Sequence, residues 1–161
     1  MIYTSEEYNE KFGSKLTEEQ EQNALCRWLK ATYPDVLYTV DLGGINLNKY
    51  QRAVHSSRAR RGHPDIILQE WYLDKYCGLA IEFKKTGVKV SKRDGTLRAN
   101  KHLQEQLEYL TALKERYYVA GFVCGINNAK KVIEAYLKAD SSSLATINKY
   151  IYPKIKTILG K

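Results

Sequence analysis

Cysteine is scarce in this chain and poorly spaced for a shared task. Cys26, Cys77 and Cys124 lie far apart, with no CxxC pair. This spacing excludes a disulfide framework and a zinc cluster, and it reads as reduced thiols in a cytoplasmic protein. Apolar runs long enough to span a bilayer are also missing. The opening Met1-Ile2-Tyr3-Thr4-Ser5-Glu6 has none of the apolar core of a secretory signal. There is no internal repeat and no low-complexity tract. What is present is enough to fold: 161 residues of 18.6 kDa with 43% hydrophobic side chains suit one domain with a buried core and argue against disorder.

Acidic residues are thin in one region, and there the charge becomes informative. The window Lys49–Lys101 carries thirteen basic and five acidic residues, a net of +8, which equals the formal charge of the whole chain. The remainder is neutral. A localised excess of this kind suits a phosphate-backbone surface better than general solubility does.

Periodicity sets out the elements in order. Tyr3, Tyr8 and Phe12 could pack at helical spacing within a polar N-terminal extension, residues 1–16. Thr17-Glu18-Glu19-Gln20 has the form of a capping box, and Ala24, Leu25, Trp28 and Leu29 follow on one helical face up to Tyr33-Pro34. Val36–Val40 reads as a strand, Gly43-Gly44 as a break, and the cationic stretch 49–61 as either a short helix or a loop. Asp94-Gly95, among Lys89, Lys92, Arg93 and Arg98, signals a basic hairpin or flap. A helix is expected over about 101–116, with Leu103, Gln106, Leu107, Leu110 and Leu113 on one face or its border. Tyr118–Gly125 is a near-continuous apolar strand suited to the middle of a sheet. Asn127 or Asn128 can cap the next helix, with Ala129, Val132, Ile133, Tyr136 and Leu137 as its buried stripe. A last helix is expected from Ser141–Ser143, with Leu144, Ile147, Tyr150 or Ile151, Ile155 and Ile158 recurring and Pro153 kinking or breaking it. The order suits an α/β domain over 17–138, a mixed central sheet flanked by helices, with a C-terminal helical extension over 139–161 on the domain or at a dimer contact.

The chain is organised around Gly62–Lys85. Ile66-Ile67-Leu68 and Leu79-Ala80-Ile81-Glu82-Phe83 both favour extended strands, yet each run carries a carboxylate. Singly, Asp65 after Pro64 is an ordinary turn residue, and Glu82 with Lys84 an ordinary cross-strand pair. Together they fit those readings less well, because Glu82 sits between Ile81 and Phe83 in a run that favours burial, and a buried carboxylate needs a partner. Glu82 and Lys84 share a strand face. If the strands pair as a hairpin, Asp65 comes beside Glu82. Two oxygen donors and an amine then converge as a hard divalent cation requires.

Pro64-Asp65 followed by Glu82-Phe83-Lys84 resembles the PD-(D/E)xK nuclease core. The fuller set is Gly62-x-Pro64-Asp65, then Lys101-His102-Leu103-Gln104-Glu105-Gln106, then Tyr118-Val119-Ala120-Gly121-Phe122. It resembles the VRR-NUC family in its stand-alone, phage-like form, over roughly residues 17–138. The resemblance implies a restriction-endonuclease-like fold and Mg²⁺- or Mn²⁺-dependent phosphodiester hydrolysis in a bacterial or phage-infected cell. It implies Asp65, Glu82 and the Phe83 backbone carbonyl as metal ligands, with Glu19 (of Glu19-x-x-Gln22) as a further ligand and Glu21 as the next candidate. It implies Lys84 and Gln106 as catalytic partners, Gln106 being preferred to Gln104 because Tyr109 and Leu113 follow in the family's register. For Lys84 to act as a base its pKa must fall, and a cation and Lys85 both push that way. His63 stands beside Asp65 but reads more readily as a turn residue. Arg58, Arg60, Arg61, Lys85, Lys89, Lys92 and Arg93 are the expected backbone-phosphate contacts. The implied substrate is DNA recognised by shape, such as branches, flaps or junctions, and two cuts imply a homodimer. The rivals are a non-cleaving DNA-binding module of nuclease-like fold and a sequence-specific restriction-type endonuclease.

Overall fold

The computed structural model describes residues 14–41, 48–58 and 60–156. The expectations for Tyr3, Tyr8, Phe12, Gly43-Gly44 and Ile158 lie outside the described residues. The first described helix, α1 (Glu18–Thr32), opens with the complete capping box. Thr17 Oγ1 accepts from the Gln20 amide at 3.1 Å, and the Gln20 side chain accepts from the Thr17 amide at 2.9 Å. Its inward face carries Leu25 and Leu29, but also Glu21 and Gln22.

Five strands form one sheet in the order β1 (Tyr38–Val40), β2 (Ile66–Leu68), β3 (Gly78–Lys84), β4 (Tyr118–Cys124), β5 (Ile151–Tyr152). The pairs β1–β2, β2–β3 and β4–β5 are antiparallel, and β3–β4 is parallel. A parallel pair needs a crossover, and α3 (Lys101–Lys114) supplies it. The sheet therefore has two dissimilar faces. Ile66, Leu68, Leu79, Ile81, Phe83, Val119 and Val123 face α1 and α4 (Ile126–Lys138) in the larger core. Ala80, Ala120 and Phe122 face α3 through Leu110 in the smaller one. Tyr72 and Tyr136 stack in the larger core at 4.9 Å, and the Tyr136 hydroxyl donates to the Glu70 carbonyl at 2.6 Å. These tyrosines hold the fold from within.

The cationic stretch after β1 is a helix, α2 (Lys49–Arg58), with no fully buried residue. A second reciprocal cap starts it: Asn48 Oδ1 accepts from the Gln51 amide and Gln51 Oε1 from the Asn48 amide. Two expectations need correction. Helix α4 begins at Ile126 behind Gly125, and Asn128 turns back to donate to the Cys124 carbonyl rather than capping. The last helix, α5 (Ser143–Tyr150), ends before Pro153, and the chain continues as β5. The apolar repeat at Ile151 and Ile155 thus serves a strand and the irregular segment after it, where both side chains are buried. Gly121 permits that edge strand, because a Cβ there would sit 2.5 Å from the Ile151 side chain and 2.7 Å from the Tyr152 carbonyl.

Candidate active site

Strand alternation decides which side chains meet. Ile66 pairs with Ile81, so one step further out Asp65 lies opposite Glu82. Both stand on the α3 face, because Ile66, Ile81 and Phe83 occupy the other. Asp65 Oδ2 accepts from the Phe83 amide at 2.8 Å, which fixes that carboxylate across the hairpin. Glu82 is 2% exposed. Its Oε1 accepts from Lys84 Nζ at 2.8 Å and from the side-chain amide of Gln106, itself 4% exposed on α3. Gln104 points away and bonds Glu108.

Gly62 brings the loop before Asp65 against α3. It has φ +78°, and a Cβ would stand 2.5 Å from the Glu105 carbonyl oxygen, so only glycine permits this approach. Helix α1 holds the other side of the site. Glu18 accepts from the Lys85 amide at 3.0 Å, and Glu21 from the amide and hydroxyl of Thr86 at 2.9 and 3.0 Å. Glu21 is thereby committed to the end of β3, whereas Glu19 is exposed at the rim of the site cavity.

That cavity, of about 530 Å³, is lined by Asp65, Glu82, Lys84 and Gln106 together with Arg60 and Arg61. Burial pushes the Glu82 carboxyl up to about 8, and the neighbouring Asp65 charge adds to it. Burial raises Asp65 too, against the opposing Lys84 charge and the Phe83 amide. For Lys84, burial disfavours the charged form, but the Glu82 carboxylate outweighs it and the net direction is upward. The expected lowering is therefore not what this pairing produces, since the salt bridge with Glu82 dominates.

Four of the buried side-chain atoms without a hydrogen-bond partner belong to residues lining this cavity: Glu82 Oε2, Gln106 Oε1, Gln22 Nε2 and His63 Nδ1. Orphaned buried polar atoms are uncommon, and their concentration here is what a ligand-receiving site would show. The donor set of carboxylate and amide oxygens suits a hard divalent cation. Among the described residues no cluster of three or more His, Cys, Asp or Glu is assembled, so Asp65 and Glu82 would need backbone oxygen, Glu19 or water to complete a shell.

The basic residues divide. Arg60 and Arg61 line the cavity, Arg58 is exposed at the end of α2, and Lys85 is half-buried directly after β3. Lys92 and Arg93 lie exposed on a hairpin bridged at Ser91 and Leu97 and closed by the Gly95 amide on the Lys92 carbonyl. Its tip is tied to β5 by the Tyr152 hydroxyl donating to the Gly95 carbonyl at 3.0 Å. The hairpin is thus tied to β5, one of the two edge strands of the sheet. Lys89 lines a separate cavity. Sequence reasoning missed Asp41, His55, Gln22 and His102, all of which line the site. One signal was available: the chain has three histidines, and all three line this cavity.

No family model matches the chain, and no curated protein matches it. A solved structure described as a VRR_NUC domain protein aligns with a TM-score of 0.53 at 24% identity, over 78% of this chain and 92% of that one. That likeness concerns the fold, which is α/β and restriction-endonuclease-like, with a mixed five-stranded sheet between helices.

Proposed function

We propose that this chain is a VRR-NUC-type nuclease: a Mg²⁺- or Mn²⁺-dependent, structure-selective DNA endonuclease. The observation that carries the reading is the meeting of Asp65, Glu82, Lys84 and Gln106 in one cavity beside Arg60 and Arg61. The structural likeness to a VRR_NUC domain protein supports it. Asp65, Glu82 and the Phe83 carbonyl would hold the cation, with Glu19 as a further ligand from α1. Such an ion would act as a Lewis acid at the phosphate and acidify a bound water. The chain's own side chains do the rest. Gln106 and Lys84 both bond Glu82 Oε1, so they fix that carboxylate and leave Oε2 facing a ligand. The Lys84 ammonium opposes charge developing on the phosphate. Arg60, Arg61, Arg58 and Lys85 hold the backbone, with Lys89, Lys92 and Arg93 engaging more distant phosphates.

Backbone contacts orient DNA without reading bases, so selectivity falls on shape, that is on flaps, branches or junctions. Paired cuts at a junction would use a homodimer. The test is cleavage of linear, flapped and four-way DNA with Mg²⁺, Mn²⁺ or EDTA. Metal-dependent products on the branched substrates are expected, and Glu82→Ala should abolish them while leaving DNA affinity largely intact. Binding without products would instead identify a non-cleaving module, and products confined to one linear sequence a restriction-type enzyme.

A further inference from the structure

A water that attacks a phosphodiester must lose a proton; three of the four central residues are poorly placed to take it, and Glu82 keeps its free oxygen for the cation. Lys84 Nζ is spent as a donor to Glu82, Gln106 also donates to Glu82, and Asp65 accepts from the Phe83 amide. A different pair lines the same cavity. Asp41 follows β1, and its amide donates to the Asp65 carbonyl at 2.9 Å, which sets it beside the Asp65 strand. Its carboxylate oxygen lies 3.1 Å from His55 Nε2, on α2.

A carboxylate only accepts, so Nε2 carries the hydrogen and Nδ1 of the neutral ring keeps its lone pair. This is how an orienting carboxylate sets the tautomer of a catalytic imidazole. Among the described residues, the other two histidines have no such carboxylate partner. His63 packs edge-on to Tyr109, and its Nδ1 is buried without a bond. His102 is exposed in the first turn of α3.

We propose that His55, oriented by Asp41, is the general base for the attacking water; this rests on the nuclease reading above. The water O–H bond breaks and its proton passes to Nδ1. The water oxygen bonds to phosphorus, and the bond from phosphorus to the leaving nucleoside oxygen breaks. That oxygen takes a proton from solvent, and the imidazolium, held against Asp41, returns its own to solvent. The products are a phosphomonoester end and a hydroxyl end.

The test uses the full chain with Mn²⁺ and a four-way or flapped DNA. His55→Ala should lower turnover by roughly 10²–10⁴-fold, the range of a lost general base, with DNA affinity in Ca²⁺ unchanged. Added imidazole should restore part of the rate, which a purely structural role for His55 would not allow. Asp41→Asn should lower turnover as well. In the metal-free protein, ¹⁵N spectra should show His55 as the Nε2–H tautomer, and Asp41→Asn should weaken that preference. Wild-type turnover in His55→Ala, a loss that imidazole leaves unrepaired, or an Nδ1–H tautomer would each overturn the assignment. If Glu82→Ala stops cutting and His55→Ala does not, the nuclease reading stands and the base falls. If the wild type makes no metal-dependent products, both fall.

Discussion

Replacing Glu82 by glutamine in the metal-free protein should make it more stable at alkaline pH, although it alters a residue at the centre of the site. Glu82 is 2% exposed and its carboxyl is raised from the ordinary 4.5 to about 8, by burial first and by Asp65 second. In the unfolded chain the same group ionises near 4.5. The folded state therefore holds an extra proton between about 4.5 and about 8. For a carboxyl raised on folding, the contribution is fully present below the unfolded value and is lost as pH rises through the folded one. At 1.36 kcal/mol per pH step, the difference corresponds to roughly 5 kcal/mol as a ceiling. Relaxation of Lys84 and entry of water reduce it to about 2–4 kcal/mol.

Glutamine resembles the protonated acid and does not titrate. In EDTA the two proteins should melt together near the acid end of the window. Above it the variant should melt higher by roughly 5–15 °C, taking about 2–4 °C per kcal/mol for a chain of this size. Saturating Mn²⁺ should reverse the order, because only the wild type gains full ligand stabilisation. The measurement is thermal unfolding against pH for both proteins, with and without metal. Parallel pH curves in EDTA would refute the buried, Asp65-coupled carboxyl on which the argument depends.

Lys84→Met should reduce metal-dependent cutting by at least about 10²-fold while DNA binding in Ca²⁺ persists, since the amine acts on charge developing in the transition state; single-turnover kinetics check this. Gly62→Ala forces a Cβ to within 2.5 Å of the Glu105 carbonyl at φ +78°, and about 1–3 kcal/mol of stability should be lost in urea unfolding. Glu21→Ala leaves the Thr86 amide without its carboxylate acceptor and should cost about 1–3 kcal/mol by the same measurement. Thr17→Ala removes half of the α1 capping box; about 1 kcal/mol should disappear from the unfolding free energy, with cutting unchanged well below the melting temperature.

Much of the scaffold was legible because its signals are local. The Thr17 and Gln20 cap, the apolar stripes of α1, α3 and α4, and the strand runs around Ile66, Ile81 and Phe122 all follow from spacing along the chain. The period of two in a strand also places Glu82 and Lys84 on one face before any partner is known. Beyond that, spacing stops informing. The end of α5 and the start of β5 depend on an edge of β4 that accepts a strand only because Gly121 has no side chain. Glu21 looks like a first-turn acid, yet it is 1% exposed and holds Thr86, sixty-five positions away. Asp41 and His55 carry no shared motif, and they meet because β1 pairs with β2 while α2 folds back over that edge. The basic hairpin was visible as a turn, but only Tyr152 reaching Gly95 decides where its charges lie. The chain by itself determined which segments are helix or strand and which of their faces are apolar, because those depend on neighbours a few residues apart. Tertiary structure alone decided which polar groups share the cavity, because the energy of a buried charge is set by partners that arrive from distant segments.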